Sequence, residues 1–205
     1  MSTDHTMPDE TSGRNGMSVQ PKPRVTAAEY LAAERLAVTK SEYYAGEVFA
    51  LAGTSKEHNL IVTNLVALLV PRLRGRCSVF ASDLRVKVQA SGLYTYPDVA
   101  VVCGKPEMED GHLDTLLNPT LLIEVLSPTT EKYDRGRKAE HYRRVETLRE
   151  HLLIAQDQPH VQRYRRHGQR DWMMTEFSDF EETVELDSIE CTLGLGDIYA
   201  DVLPR

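Results

Sequence analysis

A single carboxylate inside an otherwise apolar run constrains the fold of this chain more than any other feature. Residues 121–126 read LLIEVL, with Glu124 as the acid, and Ser127-Pro128 follows. The branched, apolar composition predicts a short buried strand that ends at a turn. Because an unpaired buried carboxylate is strongly disfavoured, Glu124 needs a metal ion, a basic side chain or a second acid with which it shares a proton.

A second acid opens another apolar strand. Tyr96-Pro97-Asp98 precedes the apolar residues 99–103, so the sequence predicts a strand over 98–103. If this strand neighbours that of Glu124, the two carboxylates converge at one sheet edge and offer the oxygen ligands that Mg²⁺ takes. The alternatives remain open: Asp98 as a turn residue after Pro97, and Glu124 in an internal salt bridge.

A lysine on the next predicted element is the third candidate. The pattern predicts a helix over residues 134–147, in which Asp134, Lys138 and Tyr142 are spaced four apart and share one face. A lysine near an activated water can orient or deprotonate that water and offset phosphate charge. The competing interpretation is an ordinary ion pair between Asp134 and Lys138 on a solvated helix.

Size and composition bound the class of protein. The chain has 205 residues, 41% hydrophobic and 27% charged, which is ordinary for a globular domain. We expect a disordered leader over residues 1–22 and one domain over 23–205. No apolar stretch approaches the ~20 residues that span a bilayer. The three cysteines are far apart and lack C-x-x-C spacing, which predicts reduced thiols, no disulfide, no structural zinc and a cytoplasmic location.

Charge does not decide whether the partner is a nucleic acid. The formal net charge is −7, but ten acids and one base lie between Asp171 and Arg205, leaving 23 basic and 21 acidic side chains before them. Phosphate binding depends on local positive potential more than on total charge. The composition therefore neither supports nor excludes a DNA substrate.

The order of predicted elements indicates a mixed α/β fold around one sheet. A capping box begins a first helix at Thr26. The remaining predicted elements are a strand over 44–52, a helix over 56–74 that Pro71 kinks or ends, strands over 78–82, 84–88, 98–103 and 120–126, the helix over 134–147, and a hairpin formed by 151–155 and 161–165.

These residues together resemble a known family. Tyr96-Pro97-Asp98-Val99, then 123–128 (IEVLSP), then Asp134, Lys138 and Tyr142, are similar to the Uma-type putative restriction endonuclease family, part of the PD-(D/E)XK nuclease superfamily. Gly46-Glu47, His58 and residues 82–86 support the resemblance, which runs from about Thr26 to Ala155.

The resemblance implies a restriction-endonuclease-like core, a mixed β-sheet flanked by helices, that hydrolyses DNA with Mg²⁺ or Mn²⁺. Asp98 and Glu124 would be metal ligands and, with Lys138, the catalytic set; Glu47, His58 and Asp134 would support them. Position 126, where the superfamily usually has its lysine, is Leu126, so Lys138 would reach the site instead. We also expect a homodimer, since many nucleases cut two antiparallel strands and symmetric dimers are common.

Two other functions compete with the nuclease. The fold could be a catalytically inactive module that binds nucleic acid or oligomerises, because the lysine is missing from position 126 and the C-terminal segment is acidic. A small-molecule hydrolase with Ser127 or Cys103 as nucleophile has little support, because neither residue lies in a Gly-x-Ser-x-Gly elbow.

Overall fold

The computed structural model describes residues 24–51 and 53–204. The predicted leader over residues 1–22 and Ala52, the last residue of a predicted strand, lie outside the described residues. None of the helices in these ranges is long and apolar enough to cross a membrane.

Runs of strands are separated by helices along the described chain. The helices are α1 (Ala27–Glu34), α2 (Lys56–Leu73), α3 (Glu131–Tyr133), a π-helical segment (Asp134–Lys138), α4 (Ala139–Tyr142), a 3₁₀ turn (Asp187–Ile189) and α5 (Leu195–Ile198). The strands are β1 (Ser41–Tyr44), β2 (Glu47–Ala50), β3 (Cys77–Ala81), β4 (Arg85–Val88), β5 (Leu93–Thr95), β6 (Val99–Cys103), β7 (Thr115–Leu116), β8 (Leu121–Leu126), β9 (Glu150–Ala155), β10 (Val161–His167), β11 (Asp171–Phe177), β12 (Thr183–Leu186) and β13 (Cys191–Gly194).

A six-stranded mixed sheet forms the centre of the fold, in the order β11-β10-β9-β8-β6-β3. Strands β8 and β9 are parallel, and the other neighbours in this sheet are antiparallel. Parallel neighbours need a crossover connection, and here α3, the π-helical segment and α4 provide it. This sheet with helices around it confirms the predicted mixed α+β class.

The two faces of strand β8 belong to different cores. Leu121, Ile123 and Val125 pack in the cluster that contains the apolar face of α2, whereas Leu122 packs with Tyr142 of α4. Successive side chains of a strand point to opposite faces, so Glu124 follows Leu122 towards the crossover helix. This alternation places the acid under α4 and the π-helical segment.

Two further sheets accompany the central one, where the sequence predicted a single sheet. One has five strands in the order β2-β1-β5-β4-β7, and the other is the β12–β13 pair. The hairpin of β1 and β2 lies at the edge of the five-stranded sheet. It forms part of the site described below.

Two predicted elements differ in the structure, and the helix predicted over 56–74 is present as α2. The strand predicted over 44–52 is instead the end of β1, a turn and β2, because Ala45 and Gly46 both have positive φ and form a two-residue hairpin turn. The helix predicted over 134–147 ends at Tyr142, where the chain tightens into i→i+3 turns. Pro71 lies inside α2 and does not end it early.

The prediction of three reduced cysteines is wrong. Cys77 and Cys103 are directly opposed on antiparallel strands β3 and β6 and form a disulfide. The two residues are 26 apart in the sequence, and only the register of the sheet brings them together. Cys191 is free and buried.

Candidate active site

Strands β6 and β8 place the two predicted metal ligands opposite each other. Their antiparallel register pairs Val99 with Ile123, so the next position outward pairs Asp98 with Glu124. The backbone N–H of Val125 donates to Asp98 Oδ2 over 2.7 Å, which fixes that carboxylate at the strand edge. Opposed residues of an antiparallel pair carry their side chains on the same face, with Cβ atoms about 5 Å apart.

Glu124 is buried and hydrogen-bonded through one oxygen. Its exposed fraction is 3%, and its Oε1 accepts from the Tyr142 hydroxyl over 2.6 Å and lies 3.0 Å from Lys138 Nζ. Burial raises the pKa of Glu124 well above its usual value, and the nearby carboxylates of Asp134 and Asp98 raise it further against the opposing effect of Lys138. This acid is therefore poised to hold either a proton or a cation.

Lys138 lies among three carboxylates. Its Nζ is 3.0 Å from Glu124 Oε1, 3.2 Å from Glu42 Oε1 and 3.6 Å from Asp134 Oδ1. Burial disfavours the ammonium form, but the attraction of these acids outweighs it and raises the pKa of Lys138. The side chain is therefore a protonated donor at neutral pH.

A π-helical turn carries both charged residues of the crossover into the site. The N–H of Ala139 donates to the carbonyl of Asp134, a bond that spans five residues. Such turns widen a helix locally and often occur at functional sites. Asp134 and Lys138 are both buried at this turn, so the predicted pairing of the two is present, but inside the protein and not on a solvated face.

His58 supports Asp98 from the other side of the site. Ser55 caps α2 by accepting from the His58 N–H, and the imidazole Nε2 lies 3.2 Å from Asp98 Oδ2. The His58 side chain is 7% exposed, and its Nδ1 has no hydrogen-bond partner among the described residues. Asp98 Oδ2 is thus held by both a backbone and a ring nitrogen.

One carboxylate of the cluster was missed by the sequence analysis, and one predicted supporting residue lies outside it. Glu42 of β1 is 2% exposed and accepts from the Thr95 hydroxyl as well as contacting Lys138. Glu47, by contrast, is exposed beside the hairpin turn. Neither acid stands out in the sequence. The local hint for Glu42 is its place beside Tyr43 in a short segment that turns at Gly46.

These groups line a cavity of about 750 Å³. Four carboxylates, those of Glu42, Asp98, Glu124 and Asp134, line it together with the buried ammonium of Lys138, and Lys40 and the exposed Arg137 also line it. A buried excess of negative charge is costly unless a cation or a proton offsets it. The arrangement therefore favours cation uptake.

The carboxylate oxygens of the site fit a hard cation that takes few of its ligands from the protein. Within residues 24–51 and 53–204, no cluster of three or more His, Cys, Asp or Glu side chains could hold a metal ion by itself. Mg²⁺, however, needs only one or two carboxylates and fills its other positions with water and substrate phosphate. The hydrogen bonds given above fall on Oδ2 of Asp98 and Oε1 of Glu124, so the other oxygen of each acid can face such an ion.

The two alternative nucleophiles both have structural contacts. Cys103 is in the disulfide. The Ser127 hydroxyl lies 3.0 Å from the hydroxyls of Thr129 and Thr130 at the turn after β8. These contacts explain both residues structurally, and a nucleophilic serine or cysteine hydrolase gains no support.

Comparisons with known proteins identify the family and the fold. Two proteins of Synechocystis sp. are similar in sequence: "Uncharacterized protein sll1609", 38% identical over 78% of this chain and 92% of its own length, and "Uncharacterized protein slr1290", 33% identical over 87% and 93%. The crystal structure of a putative nuclease belonging to DUF820 from Anabaena variabilis superposes with a TM-score of 0.64 at 20% identity, covering 82% of this chain and 93% of that one. The Uma2 family model, described as a putative restriction endonuclease, matches residues 27–196. This chain belongs to the Uma2 family of putative restriction endonucleases.

Proposed function

We propose that the protein is a metal-dependent endodeoxyribonuclease that hydrolyses DNA phosphodiester bonds with an activated water. The observation that carries the proposal is the opposition of Asp98 and Glu124, with the Lys138 ammonium 3.0 Å from Glu124. Membership of a family described as putative restriction endonucleases supports nuclease activity. The fold shared with a structure described as a putative nuclease is consistent with it.

Asp98 and Glu124 would hold the Mg²⁺ or Mn²⁺ ion. When bound, such an ion lowers the pKa of a coordinated water and offsets the charge that develops on the phosphoryl group. Glu124 can give up the proton that burial favours, and the His58 and Val125 nitrogens keep Asp98 in place. The two acids thus supply a fixed pair of oxygen ligands.

Lys138 acts as a charged donor and not as the base. Because its pKa is raised among the carboxylates, its Nζ keeps its protons at neutral pH. An ammonium in this position can donate to a phosphate oxygen or to the attacking water, and it offsets charge in a water-poor site. The sequence left open whether Lys138 orients or deprotonates the water, and its raised pKa favours the first role.

The position of Leu126 explains why the lysine comes from the helix. Leu126 lies two residues after Glu124 on β8, on the same face of the strand, and is 3% exposed. The crossover between β8 and β9 returns directly over the sheet and brings Lys138 to the same carboxylate. An amine thus reaches Glu124 from the helix, although position 126 on the strand is a leucine.

Plasmid nicking tests the proposal. We expect wild-type protein to nick supercoiled DNA with Mg²⁺ or Mn²⁺ and to lose this activity with EDTA, and we expect Glu124→Ala to be inactive. Glu47→Ala is the matched control, because it removes an exposed carboxylate outside the cluster. Nicking that survives Glu124→Ala at the wild-type rate would remove Glu124 from the mechanism.

A catalytically inactive nucleic-acid-binding module is the second candidate. It is favoured by one observation: Lys138 already satisfies three carboxylates within the fold. Calorimetry separates the two, since this module would take up no Mg²⁺ or Mn²⁺ yet bind DNA with a strong salt dependence. The homodimer and the cytoplasmic location stay predictions, for light scattering and cell fractionation to test.

A further inference from the structure

The β1–β2 hairpin forms an aromatic wall of the catalytic cavity. Phe49 is directly opposite Glu42 in the register of the hairpin, so both side chains lie on the face that lines the cavity. Tyr44 is two residues from Glu42 on the same strand and shares this face. Phe49 is 47% exposed and Tyr44 is 37% exposed, so both rings are accessible to a ligand in the cavity.

A second wall of the cavity comes from the crossover helix and includes a basic side chain. Arg137 is exposed and lines the cavity next to Lys138. The ring of His141 meets the ring of Tyr44 at 4.6 Å between centroids, so the two walls touch at one end. The lining of this cleft thus includes aromatic rings from the hairpin and a guanidinium from the crossover helix.

The reactive groups lie at the bottom of this cleft. The side chains of Glu124, Asp134 and Lys138 are only 4–5% exposed. A cavity of about 750 Å³ has the size of pockets that enclose one small organic ligand. One or two nucleotides fit this space. A stiff duplex would have to bring its phosphate past both walls to reach the reactive groups.

We propose that the cleft binds an unpaired DNA strand, with a base stacked on Phe49 and the adjoining phosphate between Arg137 and Lys138. This inference rests on the proposed nuclease function and specifies its substrate class. Stacking on an exposed aromatic ring is available to any base once it leaves the duplex, and basic groups beside it track the backbone. The lining of the cleft supplies both elements.

Binding without cleavage provides the main test. Fluorescence anisotropy would compare a labelled single-stranded oligonucleotide with a fully paired duplex of the same sequence, with Ca²⁺ as the divalent ion and strand integrity checked on a gel. We expect the single strand to bind at least about tenfold more tightly, and Phe49→Ala to lose about tenfold of that affinity. Phe49→Trp should retain it, because the stacking surface remains.

Val48→Ala is the matched control. Val48 is the neighbour of Phe49 on β2, is 46% exposed and points to the other face of the strand, so we expect wild-type binding. Arg137→Ala should weaken binding and reduce the slope of log affinity against log salt by about 1. Equal or tighter binding of the duplex, no binding of either DNA, or a Phe49→Ala variant with wild-type affinity would each overturn the inference.

Cleavage assays with Mn²⁺ separate this inference from the nuclease proposal. Equal cutting and equal binding of both DNAs would overturn the unpaired-strand inference and leave the nuclease intact. If the protein binds the single strand through Phe49 but cuts neither DNA, the inference about the cleft is supported and the proposed hydrolysis is contradicted.

Discussion

Tyr142 donates its phenolic hydrogen to Glu124 Oε1 over 2.6 Å, so the crossover helix contacts the buried acid through a hydroxyl as well as through Lys138. Tyr142 is fully buried and packs in the core on that face of the sheet. The hydroxyl therefore has one evident purpose in the described structure, which is to hold the Glu124 carboxylate in a fixed orientation.

Tyr142→Phe should lower the cleavage rate without unfolding the protein. The ring and its packing remain, but Glu124 loses one of its two hydrogen-bonding partners. Removing a group that orients a metal-binding carboxylate typically costs about 10–100-fold in metal affinity or activity. We expect the loss as a higher Mn²⁺ requirement for nicking. Tyr164→Phe is the control, because that ring contacts His151 and not the acids; an equal loss in both variants would contradict the assigned role.

Lys138→Met should affect both activity and stability. The substitution leaves Glu42, Glu124 and Asp134 buried without their cation, and breaking a buried ion pair from one side costs about 3–5 kcal/mol of unfolding free energy. Loss of a charged donor at the reacting group should reduce cleavage about 10²–10³-fold. Urea unfolding and nicking rates measure the two effects.

The pH dependence of this variant provides a further check. Burial raises the pKa values of Glu124 and Asp134, and Lys138 opposes this shift. Without the ammonium these two acids hold protons more tightly, so stability is present at low pH and is lost as the pH rises through their raised pKa values. We expect the deficit relative to wild type to be smaller near pH 5 than near pH 8. Lys132→Met, which removes an exposed lysine from α3, should show no deficit at either pH.

Glu42→Gln should lower activity although Glu42 was absent from the sequence-based set. The amide keeps the volume and a hydrogen-bonding oxygen for Thr95, but it removes one of the charges that position Lys138 Nζ at 3.2 Å. We expect about a 10–100-fold slower cleavage, as for other groups that orient a site residue. Circular dichroism should show unchanged folding, and Glu47→Gln should cleave at the wild-type rate. A Glu42→Gln variant as active as wild type would exclude Glu42 from the site.

The positions of Asp98 and Glu124 could be predicted because each signal is local. An acid inside an apolar strand has to be compensated, and the sequence alone shows this. Lys138 could also be predicted. The helix after β8 returns over the sheet, and the four-residue spacing of Asp134, Lys138 and Tyr142 places these residues on one face. The π-helical turn was not foreseeable, yet it preserves the shared face of Asp134 and Lys138.

The missing parts depend on contacts between distant segments. Glu42 is buried only because the β1–β2 hairpin pairs with β5, where Thr95 meets it, and nothing near position 42 encodes that pairing. The disulfide follows from the same cause, since Cys77 and Cys103 meet through the register of β3 and β6. Local patterns thus give the strands and the acids, while sheet pairing decides which side chains complete the site.

His151 should make the protein less stable in acid. It is buried against Tyr142 and Tyr164, and burial, reinforced by Lys138 and Arg143, lowers its pKa to about 3. The unfolded chain takes up a proton on this residue below its usual pKa of 6.5, while the folded chain does so only near pH 3. Unfolding free energy should therefore fall by about 1.4 kcal/mol per pH unit from this residue as the pH drops through that window. We expect His151→Phe to lose this pH-dependent component in urea titrations across the same range. His112→Gln, at an exposed site, is the control and should keep it. If the stability of His151→Phe runs parallel to that of the wild type, His151 is already protonated in the native state.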